Sequence, residues 1–415
     1  MSRRRGQALP TLAVCASLLA AAFGLSSCSA QSAAAVPSQI TIGTLYASVG
    51  SYAASSLPEY RGLRFWASQV NAAGGVYVRA YRRKVHVKLI AYDDQSSTSR
   101  ASSLAAQLIQ QDHVNILISD FGSVLTSVVV PLAQENDVLL FDPTATAPGF
   151  FTESIFGNGD PDLVLTSLPS SGLWPRVISN YLLRHHISKV GIVYDANDFS
   201  QAQATTVENA LGNAGVIPEL SLSVPTSTTQ YAPILTQMHQ AGVSAVLEFG
   251  YGSNDLAFLR SLAASHLHFP FVFTAFPGLM LPTFTESLGA TALRGVYTYL
   301  GPPLLRSRAN LGLDTSQFLK RFSPTAPSSV NDLDIAGYVA GLIVQGTLAR
   351  ATGLSTQALR AGVHALSGKV RTLAGPFALD AAGAQTGEMM PLARLDLTPS
   401  GAITPVVVQP APKMP

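Results

Sequence analysis

The sequence predicts an α/β fold built from two doubly wound, parallel-sheet lobes. The chain has 415 residues, which suits two domains better than one hydrophobic core. Short apolar runs alternate with helical stretches from Gln39 onward, and the alternation restarts after a Gly/Pro-rich segment at 157–161. Strand–helix repeats of this kind favour parallel sheets that carry helices on both faces.

The first unit is predicted to contain four strands separated by three helices. Leu63, Ala67 and Val70 recur at helical spacing, and Gly74 and Gly75 end that pattern. Residues 85–94 begin with the apolar–polar alternation of a strand. The predicted strands are 40–46, 85–94, 113–119 and 137–142, and the predicted helices are 59–75, 99–111 and 124–135.

The second unit repeats the same order of elements. Its predicted helices are 173–184, 200–214, 231–241 and 255–264, and its predicted strands are 189–195, 216–224, 243–251 and 269–275. A further helix over 334–351 is apolar on several sides, which predicts that it is buried. The segment from 377 to 408 has strand-like patterning. In open parallel sheets, ligands bind beyond the carboxyl ends of the strands, which directs attention to the loop FDPTATAP after the fourth strand.

The N-terminus has the layout of an export signal. A basic start precedes an apolar run from Leu12 to Leu25, and the run ends at Leu25-Ser26-Ser27-Cys28. This ending is similar to the lipobox of bacterial lipoproteins, in which the cysteine is lipidated. An ordinary secretory signal with a chance cysteine is the alternative. We expect residues 1–27 to be the signal, Cys28 the lipid anchor, and residues 28–38 a flexible tether.

Composition and motifs argue against several classes of function. Charged residues make up 12% of the chain and the net charge is +2, so no basic surface for nucleic acid is expected. The sequence has no nucleophile elbow, zinc-protease motif or P-loop. The paired histidines at 185–186 and at 266 and 268 lack a third metal ligand nearby. We therefore expect no metal, no cofactor and no catalysis.

Several stretches together resemble the type I periplasmic binding proteins of the branched-chain amino acid (Leu/Ile/Val) transport class. They are ITIGTLYASVGSYAASSLPEYRGLRFWASQVNAAGG, YDDQSSTSRASSLAAQLIQQDHVNILI, PLAQENDVLLFDPTATAP, KVGIVYDANDF, VLEFGYGSNDLAFLRSL and GPFALDAAG. The resemblance covers nearly all of residues 39–408. It implies two lobes joined by a three-segment hinge, with crossings near 157–165, 296–303 and 371–378. Lobe I would comprise 39–157 and 303–370, lobe II would comprise 158–302 and 371–408, and 409–415 would be a disordered tail.

The resemblance also implies a ligand site on lobe I. Ser123 stands where the family has the serine that binds the ligand carboxylate, and its other expected role is to cap the following helix. Thr144 and Thr146 stand in the family's P-x-A-T loop. Thr144 would offer backbone groups and Thr146 its hydroxyl and amide, and together they would bind the carboxylate and the ammonium of an amino acid.

On lobe II the resemblance implies aromatic contacts, with two departures from the family pattern. Phe199 takes the position of a frequent tyrosine, and Tyr251 matches the aromatic of the G-Y-G turn, although either ring could instead belong to the core. Ser55 replaces the aromatic expected before the first helix. No acid follows strand 269–275 to pair with an ammonium, and the nearest acidic candidate is Glu248, for which a structural partner is the alternative.

The implied function is capture of a small solute, an amino acid or a related carboxylate or amide, by an exported, lipid-anchored protein. It would be a monomer on the outer face of the cell membrane or in the periplasm. It would deliver the solute to the permease subunits of an ABC importer. A sensor acting on a membrane partner is one alternative, and an exported hydrolase with Ser123 as nucleophile is the other.

Overall fold

Two large sheets organise residues 37–151 and 162–412, the parts of the chain that the computed structural model describes. The first sheet contains β1 (Gln39–Tyr46), β2 (Val76–Val78), β3 (Arg83–Asp93), β4 (Ile116–Ile118), β5 (Leu140–Asp142) and β6 (Leu163–Leu165). Their order is β2-β3-β1-β4-β5-β6. All neighbours are parallel except β2, which pairs antiparallel with β3.

The second sheet contains seven strands. Its parallel part consists of β7 (Val190–Asp195), β8 (Leu220–Val224), β9 (Ala245–Phe249), β10 (Phe271–Phe273) and β11 (Val296–Tyr299). A separate hairpin joins β12 (Val370–Thr372) to β13 (Gly375–Phe377). Two antiparallel edge strands, β14 (Leu392–Leu397) and β15 (Ile403–Gln409), complete the order β15-β14-β11-β10-β9-β7-β8. The α/β class and the parallel sheets predicted from the sequence are thus confirmed.

Helices cover both sheets. In the first half of the chain they are α1 (Ala53–Ala72), α2 (Thr98–Gln110), α3 (Ser123–Thr126), α4 (Val130–Glu135), α5 (Arg176–Arg184) and α6 (Asp198–Asn213). In the second half they are α7 (Ala232–Gln240), α8 (Gly252–Ser265), α9 (Leu281–Leu288), α10 (Ala290–Leu293), α11 (Thr315–Phe322), α12 (Asp332–Leu348) and α13 (Thr356–His364). Within the described ranges, no helix is both long and apolar enough to cross a membrane.

The first sheet with its helices is called lobe I below, and the second sheet with its helices lobe II. The chain passes between them after β6, after β11 and after β13. Strand β6 pairs with β5, so residues 163–165 lie in lobe I rather than in lobe II as predicted. The hairpin β12–β13 packs Leu373 and Phe377 into the core of lobe I, whereas β14 pairs with β11 in lobe II.

Other element boundaries also differ from the prediction. The helix expected over 124–135 is two pieces, α3 and α4, separated by a turn at 127–129. Helix α1 begins at Ala53, six residues before the predicted start at 59. Gln409 belongs to β15, so the predicted disordered tail is ordered there and residues 413–415 lie outside the described part. Residues 1–36, including Cys28, also lie outside it.

Glycines bring helices α1 and α12 into backbone contact. A Cβ at Gly337 would overlap the carbonyl oxygen of Glu59, and a Cβ at Gly62 would overlap the carbonyl oxygen of Asp334. At Gly341 a Cβ would overlap the ring of Trp66. Only residues without a side chain allow this approach. The contact fixes α1, which leads into the candidate site, against the almost fully buried α12.

Substitution of Gly337 with Ala is expected to lower the free energy of unfolding by about 2 kcal/mol or more, because backbone atoms of α1 cannot yield as a side chain can. Urea denaturation of the purified protein measures the change. Gly212→Ala is the matched control, since its Cβ in α6 would meet nothing within 4 Å. That control should be neutral or stabilising by up to about 1 kcal/mol. Equal effects of the two substitutions would contradict the proposed contact.

Candidate ligand-binding site

The candidate site lies where the carboxyl ends of strands from both sheets meet. In lobe I, β1 stands between β3 and β4, so the connections that lead to these two neighbouring strands lie on opposite sides of β1. In lobe II, β7 stands between β8 and β9 in the same way. Such points leave a crevice beyond the strand ends. Rings from the segments that follow β1 and β4 contact rings from the segments that follow β9 and β10, and the ring that follows β7 stacks on the one that follows β9.

The buried carboxyl group of Asp142 accepts hydrogen bonds from the loop FDPTATAP. Its Oδ1 accepts hydrogen bonds from the amides of Thr144 at 3.0 Å and Ala145 at 2.8 Å. The hydroxyl of Ser119 donates to the same oxygen at 2.9 Å. Burial raises the pKa of Asp142 to about 6, although these donors oppose the rise. The loop therefore has one conformation, set by a buried carboxyl group at the end of β5.

Thr144 has a structural role in this loop. Its hydroxyl donates to Oε2 of Glu59 at 2.7 Å and accepts a hydrogen bond from the amide of Gly122 at 3.1 Å. Burial, with a smaller contribution from the charge of Asp120, raises the pKa of Glu59 well above its usual range. Thr144 thus connects α1, the loop before α3 and the loop after β5. Its hydroxyl and its amide are both engaged within the protein.

Ser123 and Thr146 present hydroxyl groups that can still donate. Ser123 is buried, and its Oγ accepts a hydrogen bond from the amide of Ala147 at 3.2 Å, which leaves its proton available. Thr146 is 0% exposed, and its Oγ1 has no hydrogen-bond partner in the described part of the chain. A buried hydroxyl without a partner is unfavourable unless a further group binds it. These two residues therefore form a cradle that suits an acceptor group.

Tyr251 of lobe II reaches across to this cradle. Its ring lies against Gly122, where a Cβ would stand 3.2 Å from Cε1 and 3.6 Å from the phenol oxygen. Gly122 has a φ of 84°, which favours glycine. Burial and then the charge of Tyr52 raise the pKa of Tyr251, and the nearby amides of Val124 and Ser123 and the Ser123 hydroxyl oppose the rise. The phenol oxygen makes no hydrogen bond of ordinary geometry to any described residue, although it faces those amides.

Aromatic rings from both lobes surround this point. Tyr52 and Phe121 come from lobe I, and their ring centroids lie 5.4 and 5.8 Å from that of Tyr251. Phe199 stacks on Tyr251 at 5.0 Å, with an angle of 13° between the rings. Phe276 lies 6.2 Å from Phe121 and 6.4 Å from Tyr251. The walls of the site are therefore flat and apolar, and the hydroxyl groups are concentrated at one end.

The structure locates Ser55 beside lobe II, at the edge of this group. Its hydroxyl lies 3.7 Å from the sulfur of Met280. The aromatic ring that Ser55 was predicted to replace is supplied instead by Tyr52, the residue that precedes α1. Next to it, the hydroxyl of Ser56 donates to Asp120 at 2.5 Å, which fixes the segment leading to Ser123.

Glu248 lies inside lobe II within a group of acids. Its pKa is raised well above the usual range, mainly by burial and then by the charges of Asp255 and Asp195. Burial likewise raises the pKa of Asp195 to about 8. The neighbours of Glu248 that act on its charge are thus acids. A structural partner of opposite charge, which the sequence left open, is not among them.

The structure thus brings together Ser123, Thr144, Thr146, Phe199 and Tyr251, and Ser55 lies at their margin. Sequence reasoning missed several residues of the site. They are Tyr52, Glu59, Phe121 and Phe276. Tyr52, Phe121 and Phe276 lie in the segments that follow the carboxyl ends of β1, β4 and β10. That position could have identified them. In residues 37–151 and 162–412, no three His, Cys, Asp or Glu side chains are grouped to hold a metal ion.

The chain belongs to the periplasmic binding protein family, whose family model matches residues 39–402. Among curated relatives, a Leu/Ile/Val-binding protein homolog of Brucella melitensis is 24% identical over 234 residues. That alignment covers 55% of this chain and 59% of the relative, so the match spans little more than half of the relative's length.

Two solved structures share the fold. The R. palustris solute-binding protein in complex with benzoate has a TM-score of 0.73 and 20% identity, covering 90% of this chain and 97% of that one. The branched-chain amino acid transporter substrate-binding protein from Streptococcus pneumoniae, in complex with isoleucine, has a TM-score of 0.71 and 17% identity. It covers 90% of this chain and 100% of its own. These likenesses agree with the two-lobed architecture described above.

Replacing Thr144 with Val is expected to lower the free energy of unfolding by about 1–3 kcal/mol, because Glu59 and the amide of Gly122 would lose their buried partner. Thr144→Ser is the control, since it keeps the hydroxyl and should recover most of the loss. Urea denaturation of both variants measures the difference. If Val and Ser behave alike, the hydroxyl does not brace the loop.

Proposed function

We propose that this protein is the extracytoplasmic substrate-binding component of an ABC importer. Its ligand is a small organic carboxylate with a flat, apolar body. The ligand sits between the lobes, and lobe closure holds it away from water until it is delivered to permease subunits in the membrane. Family membership supports the binding role, and the site supports the ligand class.

The observation that carries this proposal is the set of buried hydroxyl groups at one end of an aromatic cleft. The Thr146 hydroxyl is without a partner among the described residues, Ser123 has a proton to donate, and the Tyr251 hydroxyl lies beside Ser123. A carboxylate taken out of water needs several donors, and hydrogen bonds to a charged acceptor are the strong ones. These three groups can supply them from both lobes.

The rest of the site favours an aromatic body over an α-amino acid. Tyr52 and Phe121 of lobe I contact Tyr251 of lobe II, and Phe121 also contacts Phe276. Phe199 stacks on Tyr251 within lobe II, and rings of this kind stack on a flat ligand. An α-ammonium group needs a nearby ionised acid. Residues 269–285 contain no acid, and Glu59, the acid beside the cradle, already binds the Thr144 hydroxyl and has a pKa that burial raises well above its usual range. The related R. palustris protein is in complex with benzoate, whereas the S. pneumoniae protein is in complex with isoleucine. The chemistry of this site is closer to the first.

Isothermal titration of the mature protein with four compounds tests the proposal. We expect benzoate and 4-hydroxybenzoate to bind more tightly than benzamide, which lacks the charge, and than isoleucine, which lacks the ring. Thr146→Val should weaken benzoate binding by about 1–3 kcal/mol, the usual effect of losing a hydrogen bond to a charged group. Thr146→Ser is the control and should bind like the wild type. Tighter binding of isoleucine than of any aromatic acid would contradict the ligand class.

The N-terminal segment is proposed to anchor the protein. Residues 1–27 would be removed as a signal, and Cys28 would carry the lipid. In an expressing bacterium, Cys28→Ser should move the protein from the membrane fraction to the soluble exported fraction. Cys15→Ser, within the signal, is the matched control and should leave it membrane-bound. Membrane retention of the Cys28→Ser protein would refute the anchor without affecting the ligand proposal.

A further inference from the structure

Two acids lie where the chain crosses between the lobes. Asp332 begins helix α12 of lobe I, and its amide donates to the carbonyl oxygen of Leu279 in lobe II at 2.9 Å. Glu388 lies in the segment between β13 of lobe I and β14 of lobe II. Each acid therefore stands at a junction whose two sides belong to different lobes.

Both acids line a single small cavity at these crossings. The other walls come from residues 167–169 of the first crossing, 300–302 of the second, and 374 and 390 near the third. The cavity has a volume of about 10 Å³, which admits about one water molecule. All three connections between the lobes thus meet around one pair of carboxyl groups.

Glycines make room for these carboxyl groups. A Cβ at Gly301 would stand 2.6 Å from Oδ1 of Asp332, and a Cβ at Gly375 would overlap the carboxyl group of Glu388. Gly375 also has a φ of 128°, which other residues rarely adopt. The backbone of the crossings is therefore fitted closely around both acids.

The charges that act on this pair do not neutralise it. Asp332 is 1% exposed, and its Oδ2 has no hydrogen-bond partner among the described residues. Burial raises the pKa of Asp332 to about 8. Burial and then the charge of Asp332 raise the pKa of Glu388 to about 8, and Arg371 opposes that rise only weakly because its side chain is exposed. The cavity walls at 167–169 and 300–302 carry no charged side chain.

We propose that Asp332 and Glu388 form a proton switch at the crossings, which favours the closed arrangement of the lobes while both acids are neutral. Rotation of one lobe against the other moves the segments that enclose the pair, and it admits water to them. A hydrated carboxyl group loses its proton near pH 4, whereas the enclosed pair keeps a proton up to about pH 8. The inference rests on the proposed function, because closure around a ligand is what the switch would control.

The sign of the pH effect follows from proton linkage. Between about pH 4 and pH 8, the closed arrangement holds a proton that the open arrangement releases. Raising the pH through this window therefore favours opening and weakens ligand binding. The effect reaches at most about tenfold in affinity per pH unit for each proton taken up on closure. Below the window both arrangements are protonated, and the dependence disappears.

X-ray scattering of the protein without added ligand tests the switch directly. The radius of gyration of the wild type should rise between pH 6 and pH 9. The Asp332→Asn/Glu388→Gln double variant mimics the neutral pair and should stay compact over the same range. Glu219→Gln removes an exposed acid of lobe II and is the control that should behave like the wild type. Equal expansion of the double variant and the wild type, or no expansion of the wild type, would overturn the proposal.

Titration with benzoate at pH 6 and pH 8.5, where this probe stays ionised, gives a second measurement. The wild type should bind severalfold more weakly at the higher pH, and the double variant should lose part of that difference. Asp142 and Glu59 also titrate beside the ligand cradle, so a residual slope is expected. A full wild-type slope in the double variant counts against the switch. If benzoate does not bind at all, the proposed ligand class fails, and scattering still decides the switch.

If the double variant fails to fold, the single variants Asp332→Asn and Glu388→Gln take its place. Each should reduce the pH-dependent expansion, because either neutral side chain removes the charge repulsion within the pair. Thermal unfolding at pH 6 verifies that each variant has the wild-type fold before the scattering is compared.

Discussion

The backbone contact between α1 and α12 is the constraint on which the candidate site and the hinge both depend. Gly62 and Gly337 let the two helices approach until a single methyl group would overlap a carbonyl oxygen. Helix α1 and the residue before it carry Tyr52 and Glu59 to the cleft. Helix α12 begins with Asp332 at the crossings. One helix pair thus sets the position of the ligand cradle relative to the point about which the lobes would turn.

Buried acids without basic partners are the second organising feature. Only 12% of the residues are charged, and many of the acids are in the interior. In lobe I, Asp142 and Asp120 are each held by backbone amides and a serine hydroxyl, which makes them parts of the loop scaffold. In lobe II, Asp195 and Glu248 have fewer such donors, and burial and then the charge of Asp255 raise the pKa of each. Protonation therefore removes the free-energy cost of burying an ionised carboxylate, a cost that salt bridges offset in more highly charged proteins.

Much of the fold was predictable from the sequence, because alternating apolar runs and helical stretches determine a parallel sheet almost regardless of detail. The sequence analysis did not predict the short strands β2 and β6, because an apolar pattern of only three residues cannot be distinguished from a loop. The lobe assignment of β6 depends on its pairing with β5, which is a tertiary contact. The family pattern assigns the ligand hydroxyl to Thr146 rather than Thr144, but residue types could not predict what the Thr144 hydroxyl binds. Its partner is Glu59, a residue 85 positions away along the chain.

The division of roles between neighbouring residues explains how the cleft can be both rigid and selective. Thr144 is held by Glu59 and Gly122, so the loop keeps its shape whether or not anything binds, while Thr146 keeps an unused hydroxyl. In lobe II, Phe199 has no hydroxyl and stacks on Tyr251, which fixes the plane of a ring whose hydroxyl lies beside the cradle. Polarity is therefore concentrated at one end of an apolar cleft. A ligand gains hydrogen bonds there only if the rest of its surface can replace the ring contacts, and the proposed ligand class, a flat apolar body with one acidic end, meets that condition.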